Sequence, residues 1–362
     1  MNKIISIILF LLLFSTRPSS GLAPESIREI PSPKGYRFGF HLSWLPDSQR
    51  LVMKLVSKND KKFIPLIAAI NVEDESVKIL SKPNLKYSYP VCSPDGKWIT
   101  FIGPMNKHST LWIMDTQGNN KRRLVDVQCW QRPVWSPDSK RLAFTSRQCD
   151  IWVVNLDGSG LNQLSSGAGA RSQSKWSPDA SQIAYKQNAE LWLMNADGSG
   201  KKFLTNLVSE PGYESIGTPD DNLFDWSVDG KKIVYAYRPI PPEGKHANRN
   251  GQIHPYQIWA VDLNSSRKRC LTPDEISCGL PACLPDGNRI LFASTYEWVV
   301  TAAETFPPPS YPERNIWTVD FATNSPKQLT KGFTIREFAI SPDGRKVAFL
   351  TEKPGLFVLL IE

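Results

Sequence analysis

One hairpin pattern recurs seven times along this chain, and few architectures accommodate that. The copies are SWLPDSQRLVMKL at 43–55, VCSPDGKWITFIG at 91–103, VWSPDSKRLAFTS at 134–146, KWSPDASQIAYKQ at 175–187, DWSVDGKKIVYAY at 225–237, ACLPDGNRILFAS at 282–294 and AISPDGRKVAFLT at 339–351. Their shared aspartates, Asp47, Asp95, Asp138, Asp179, Asp229, Asp286 and Asp343, stand 41 to 57 residues apart. That period suits propeller blades or long helical repeats, and the local chemistry excludes helices. In Ser-Pro-Asp-Gly, proline presets φ for the first central position of a type I turn, and glycine tolerates the left-handed conformation that closes a bulged hairpin. Asp can bond its own neighbouring backbone. Where Ser48, Ser139 or Ala180 replaces the glycine, the turn should carry some strain or adopt another form.

A second hairpin follows the first in most copies, as in LWIMDTQGNNKRRLV at 111–125, IWVVNLDGSGLNQLS at 151–165 and LWLMNADGSGKKFLT at 191–205. Asp-Gly centres between runs of β-branched and aromatic residues are hairpin signals. Each unit therefore has four antiparallel strands, named A to D here. Runs such as IWVVN lack polar alternation, as expected of strands covered on both faces. One such sheet cannot shield its own faces, so the units must stack in a ring. The last unit stops after GLFVLLIE at 355–362, one strand short, while SIREIPSPKG at 26–35 precedes the first strand A. An all-β, seven-bladed propeller is expected, closed by an N-terminal strand in the last blade; six or eight blades are the alternatives.

Residues 1–23 read as a signal peptide: Lys3, an apolar stretch from Ile4 to Phe14, then small and polar residues ending at Ala23. An uncleaved anchor is the alternative for this segment. Residues 24–362 then form a single propeller domain, exported to the periplasm or secreted, with no membrane span after signal removal. Removing Lys3 and Arg17 lowers the formal charge from +8 to +6. The basic clusters 121–123 and 267–269 fall on outer strands and lack the interleaved aromatics that stack bases. Nucleic acid is therefore not an expected partner. Lys and Arg along an outermost strand also discourage edge-to-edge pairing, and a monomer is expected.

The motifs SPDGKWITF, WSPDSKRLAF and LWLMNADGSG resemble the repeats of the TolB-like propeller family, over nearly the whole mature chain. The α/β domain that stands ahead of the propeller in TolB itself has no expected counterpart here. The resemblance is specific for architecture; its members include envelope scaffolds, peptidase gating domains and polysaccharide lyases, so function must be argued from sites.

Strand order puts A–B and C–D turns on one side of the disc and B–C and D–A connections on the other. Three long segments, 206–224, 238–257 and 297–315, belong to the second side and to neighbouring blades. They are expected to build a rim for a protein or cell-wall partner, with Tyr213, Arg238, His246, Arg249, His254, Trp298, Tyr311 and Arg314 as contact residues of the types enriched in interfaces. No cofactor, metal or catalytic residue is expected. GSGKK at 198–202 lacks the first glycine and the final Ser or Thr of a phosphate loop, and no Gly-x-Ser-x-Gly or His-Glu-x-x-His occurs. The motif aspartates read as turn formers. Cys129 precedes strand A of blade 3 and Cys149 follows strand B, so a disulfide between them is expected in an oxidising compartment.

The expected function is that of an exported, non-enzymatic interaction or scaffold module of the cell envelope. The alternative is a metal-dependent polysaccharide lyase, or related carbohydrate-active enzyme, using several of His41, His108, His246 and His254 at the channel mouth.

Overall fold

The computed structural model describes residues 26–58, 64–82, 87–106, 108–129, 131–167, 169, 171–207, 223–237, 256–273, 277–295, 313–353 and 355–361. Seven antiparallel sheets follow one another around a ring, and no helix occurs among these residues beyond a single 3-10 residue. Blade 4 shows the pattern: strand A Arg171–Trp176, B Gln182–Gln187, C Glu190–Asn195 and D Lys202–Asn206, paired in that order. Strand A of each of several blades touches strand A of the next, which places the A strands innermost, around the axis.

The ring closes as its incomplete last repeat demands. Ile27–Ile30 pairs antiparallel with Leu356–Leu360, matching Ile27 with Leu359 and Ile30 with Leu356, and so becomes strand D of blade 7. Buried clusters cross every blade junction. One joins Ile30, Leu350, Leu356 and Val358 of blade 7 to Leu51, Leu66 and Ile70 of blade 1. Others link blades 1 and 2, 2 and 3, 3 and 4, 4 to 6, and 6 and 7.

The repeated turn does two jobs. Within a blade, Asp138 Oδ1 accepts hydrogen bonds from Ser136 Oγ at 2.6 Å and the Lys140 amide at 3.1 Å; Asp179, Asp229 and Asp343 are held alike. Hydrogen bonds to the charged form favour it, so these carboxyls lie below the usual range despite partial burial of Asp138 and Asp343. Between blades, the tryptophan three residues before the Asp donates its indole N–H to a strand A carbonyl of the preceding blade. The pairs are Trp44 to Ala339, Trp135 to Val91, Trp176 to Val134 and Trp226 to Lys175, at 2.9–3.3 Å. In blades 2 and 6, cysteine stands in that slot. The Cys92 amide donates to Ser43 Oγ, and the Cys283 amide to Asp225 Oδ2.

The glycine-less turns carry the anticipated strain: φ is +53° at Ser48, +60° at Ser139 and +59° at Ala180. The two serines offset it across junctions, since Ser139 Oγ accepts from the Asp95 amide and Ser48 Oγ from the Asp343 amide.

The expected disulfide is not formed; all six cysteines are free. The residue bridged to Cys129 is Ser146, not Cys149. The chain reverses immediately after it, with the Cys149 amide bonded to the Ser146 carbonyl at φ +61°, so Cys149 sits inside a tight turn rather than in register with Cys129.

Candidate functional site

The start of each strand A projects toward the side of the B–C and D–A connections, where the channel opens. Counting back six residues from each turn aspartate gives one residue per blade at this level: His41, Tyr89, Arg132, Gln173, Leu223, Leu280 and Glu337. The backbone is distorted here. His41, Tyr89, Gln173 and Leu280 have φ between +49° and +79°, and the A–B register shifts in blades 2, 4, 6 and 7. Bulges of this sort re-aim side chains and recur near functional sites.

The ring is chemically lopsided. Leu223 and Leu280 are buried and apolar, whereas blades 7, 1, 2 and 3 contribute a connected polar group. Glu337 Oε2 accepts the His41 amide at 2.7 Å, and Oε1 the Leu42 amide at 2.9 Å. Arg132 reaches from blade 3, past blade 2, to the Leu42 carbonyl at 2.8 Å and lies 3.8 Å from Glu337. It therefore runs as a chord across the mouth. The His41 ring lies on Tyr89 with centroids 4.0 Å apart. A second group spans blades 4 to 6: Lys175 Nζ meets Asp225 Oδ1 at 2.9 Å, while the other Asp225 oxygen accepts the Cys283 amide. At the edge of blade 7, Arg336 pairs with Glu352 and covers the exposed Phe40 ring at 5.5 Å.

Burial, and then the positive charges of Lys54 and Arg132, pull His41 down to about 2 from its ordinary 6.5. A neutral imidazole packed at a tilt against an aromatic ring is a structural group here. The unfolded chain takes up a proton at His41 as pH falls below about 6.5, which the folded protein refuses until near 2. Its contribution is therefore fully present above that range and is lost with acidification. Between pH 7 and pH 5 the loss should be about 2 kcal/mol, read as a lower urea midpoint. His41→Asn, which tolerates the positive φ, should flatten that dependence.

Of the residues expected to contact a partner, Arg314 lies among those described. Its amide donates to the Phe333 carbonyl and its carbonyl accepts from the Ile335 amide, an isolated parallel bridge that stitches the end of the third insertion to strand A of blade 7. Tyr213, Arg238, His246, Arg249, His254, Trp298 and Tyr311 lie outside the described residues. The flanks of their segments, Leu207 and Leu223, Tyr237 and Tyr256, and Thr295 and Glu313, all open on the channel-mouth side, because each joins D to A or B to C. His108 begins strand C of blade 2 on this side and is exposed. No group of three or more His, Cys, Asp or Glu residues forms a metal-binding arrangement among the described residues.

The sequence reading passed over the ring as a set, and over Arg132 and Glu337 within it. The fixed six-residue offset from each aspartate was the signal available. Burial pushes the Cys92, Cys129 and Cys278 thiols up to about 12, which disfavours the thiolate at these three.

Comparison with known proteins agrees with this architecture. A stretch is 27% identical over 112 residues to an uncharacterized protein of Agrobacterium fabrum, covering 26% of this chain and 38% of that one. This chain thus matches well under half the length of that curated relative. Among solved structures, an oligogalacturonate lyase from Vibrio parahaemolyticus superposes with a TM-score of 0.63 at 12% identity, covering 93% of each chain. The β-propeller domain of the Trilobed protease from Pyrococcus furiosus gives 0.61 at 15% identity, over 91% of this chain and 94% of that one. At such identities the likeness is one of fold. The model of the TolB beta propeller domain matches residues 90–298, more than half of the sequence, and the chain belongs to that family.

Proposed function

We propose that this protein is a non-enzymatic binding module of the cell envelope, which receives a protein or cell-wall partner on the channel-mouth face. The observation that carries the reading is the employment of the mouth's charged groups. Both Glu337 oxygens accept backbone amides, and Arg132 is tied to Leu42 and Glu337 across the opening. Lys175 and Asp225 likewise join blades to one another. Groups so engaged hold a surface in shape. They are poorly placed to exchange protons with a substrate, which requires a catalyst within reach of the reacting atom and poised near working pH. His41, held neutral and packed at a tilt against Tyr89, fits the same picture. The exposed Phe40 under Arg336 adds an aromatic contact at the rim, of the kind enriched at interfaces. The signal-like segment 1–23 supports an exported location.

The test is capture from an envelope extract by the full exported protein and by a variant lacking residues 241–253. Loss of a specific partner from the variant is expected, and an unchanged set of partners would overturn the reading. The rival reading, a metal-dependent lyase, shares the fold of oligogalacturonate lyase, one structure of which is a complex with manganese. Stoichiometric manganese or zinc retained by the purified protein, and lost on replacing His246 and His254, would favour it.

A further inference from the structure

On the opposite face, where the C–D turns lie, the seven blade junctions share a feature with one exception. In every blade, one strand D residue pairs with the strand C residue that follows the position held by tryptophan in blades 2 to 6, by Phe357 in blade 7 and by Ala68 in blade 1. The register gives Lys78 opposite Ala69, Arg122 opposite Ile113, Asn162 opposite Val153, Lys202 opposite Leu193, Arg269 opposite Ala260, Lys327 opposite Thr318 and Arg28 opposite Val358. Six of the seven are basic. Only blade 3 has an uncharged residue at this position.

The arginines in this position are not solvated edge charges, as the sequence reading took the basic clusters to be. They bridge to the next blade, donating to the first carbonyls of its C–D turn. Arg122 Nη2 donates to the Leu156 carbonyl at 2.8 Å. Arg269 uses two nitrogens, on the Phe321 and Ala322 carbonyls at 2.9 and 3.1 Å. Arg28 Nη1 meets the Glu73 carbonyl at 3.3 Å. Lys78 reaches Gln117 in the corresponding turn of blade 2.

At the junction of blades 3 and 4, the equivalent carbonyls are those of Ala196 and Asp197, because Asn195 pairs with Gln182 as Asp320 pairs with Arg289. Asn162 is too short to cross, and no described side chain donates to the Ala196 carbonyl. A groove of about 490 Å³ lies there. Its floor is Val153 and Leu164, both buried, and Asn155, Asn162, Ala196 and Asp197 stand around it. Arg141 lines the inner end, but its guanidinium is committed to the Ala180 carbonyl and lies over the Trp176 ring at 4.6 Å. In blade 3, hydrogen bonds from Ser159 and then the charge of Arg122 hold the turn aspartate Asp157 below the usual carboxylate range, whereas the matching Asp197 is held low by its bonds from Ser199.

We propose that this groove is a docking site for the guanidinium of an arginine presented by a partner protein, which takes the place filled from within at the junctions of Arg28, Arg122 and Arg269. An arginine fits better than a lysine, since two adjacent carbonyls offer the paired acceptors that a planar fork meets, as Arg269 does within the same molecule. The apolar floor suits the side-chain stem, and the carboxylate of Asp197 supplies the counter-charge. The site lies on the face opposite the channel mouth and stands independently of the function proposed above.

The test uses N-acetyl-arginine methylamide as the probe and the side-chain amide NMR signals of Asn155, Asn162 and Asn195 in the full exported protein. Saturable shifts at millimolar probe are expected, with the uncharged citrulline analogue at least roughly 10-fold weaker. Asn162→Arg, which restores the rule of the other blades, should fill the groove from within and abolish the Asn155 and Asn195 shifts. Arg122→Asn should open a second site of the same kind at the junction of blades 2 and 3. Absence of saturable shifts in the wild type, equal binding of the citrulline analogue, or unchanged binding in Asn162→Arg would each overturn the proposal. If Asn162→Arg does not fold, the failure of Arg122→Asn to gain a site overturns it instead.

Discussion

Replacing Ile30 by aspartate should destabilise the ring by about 4 kcal/mol, the scale of an unpaired charge forced into a packed core. Ile30 is 1% exposed, pairs with Leu356, and packs where the last blade meets the first. Among the described residues, this strand alone brings the N-terminal region into the sheet of blade 7, so its detachment exposes the sheet edge of Leu356–Leu360. Urea unfolding provides the measurement. Ile79→Asp is the matched control. Ile79 also lies on a strand D, in blade 1, but is 41% exposed, and its substitution should change stability by no more than about 0.5 kcal/mol. Equal effects at the two positions would mean that the N-terminal strand does not close the ring.

Glu337→Ala should destabilise by about 3 kcal/mol, through a different cause. The substitution leaves the His41 and Leu42 amides without an acceptor and Arg132 without its counter-charge. Each buried donor left unsatisfied costs about 1–3 kcal/mol, and partial exposure of Arg132 and Glu337 keeps the total at the lower end of the sum. Glu337→Gln retains one acceptor oxygen and should recover about half of the loss. A glutamine variant as unstable as the alanine variant would show that the charge matters more than the two amide bonds. Full stability in both would contradict the network.

The two predictions differ in how far they could be foreseen. The closing strand was legible because it follows from counting: the last repeat ends one strand short, and a strand-like stretch precedes the first. The blades were legible because Ser-Pro-Asp-Gly fixes its turn through local chemistry, independent of what packs above it. The junction tryptophans were visible as a pattern, but their indole bonds depend on how closely successive A strands approach. Arg132 was illegible as a chord, since its contact with Leu42 and Glu337 joins blades that are distant in sequence and adjacent only across a closed mouth. The Cys129–Cys149 pairing was expected from their places just before strand A and just after strand B, whereas the tight turn at 146–149 takes Cys149 out of register with Cys129. The rim proposed to receive a partner was legible as composition and side. Of its eight residues, Arg314 lies among those described, its backbone bridged to Thr334. The groove beside Asn162 needed the strand register, because the intervals between repeats vary and hide which D residues correspond.

The pairing of Ile27–Ile30 with Leu356–Leu360 also has a temporal meaning. Ile30 and Leu356 stand 326 residues apart (356 − 30), so the first of the described strands waits for the last of them before it has a neighbour. Contacts so remote in sequence slow folding, because the entropy of bringing them together must be met before they reward it. Until these two strands meet, the blades can form only an open arc, with the faces that blades 7 and 1 bury against each other left in water.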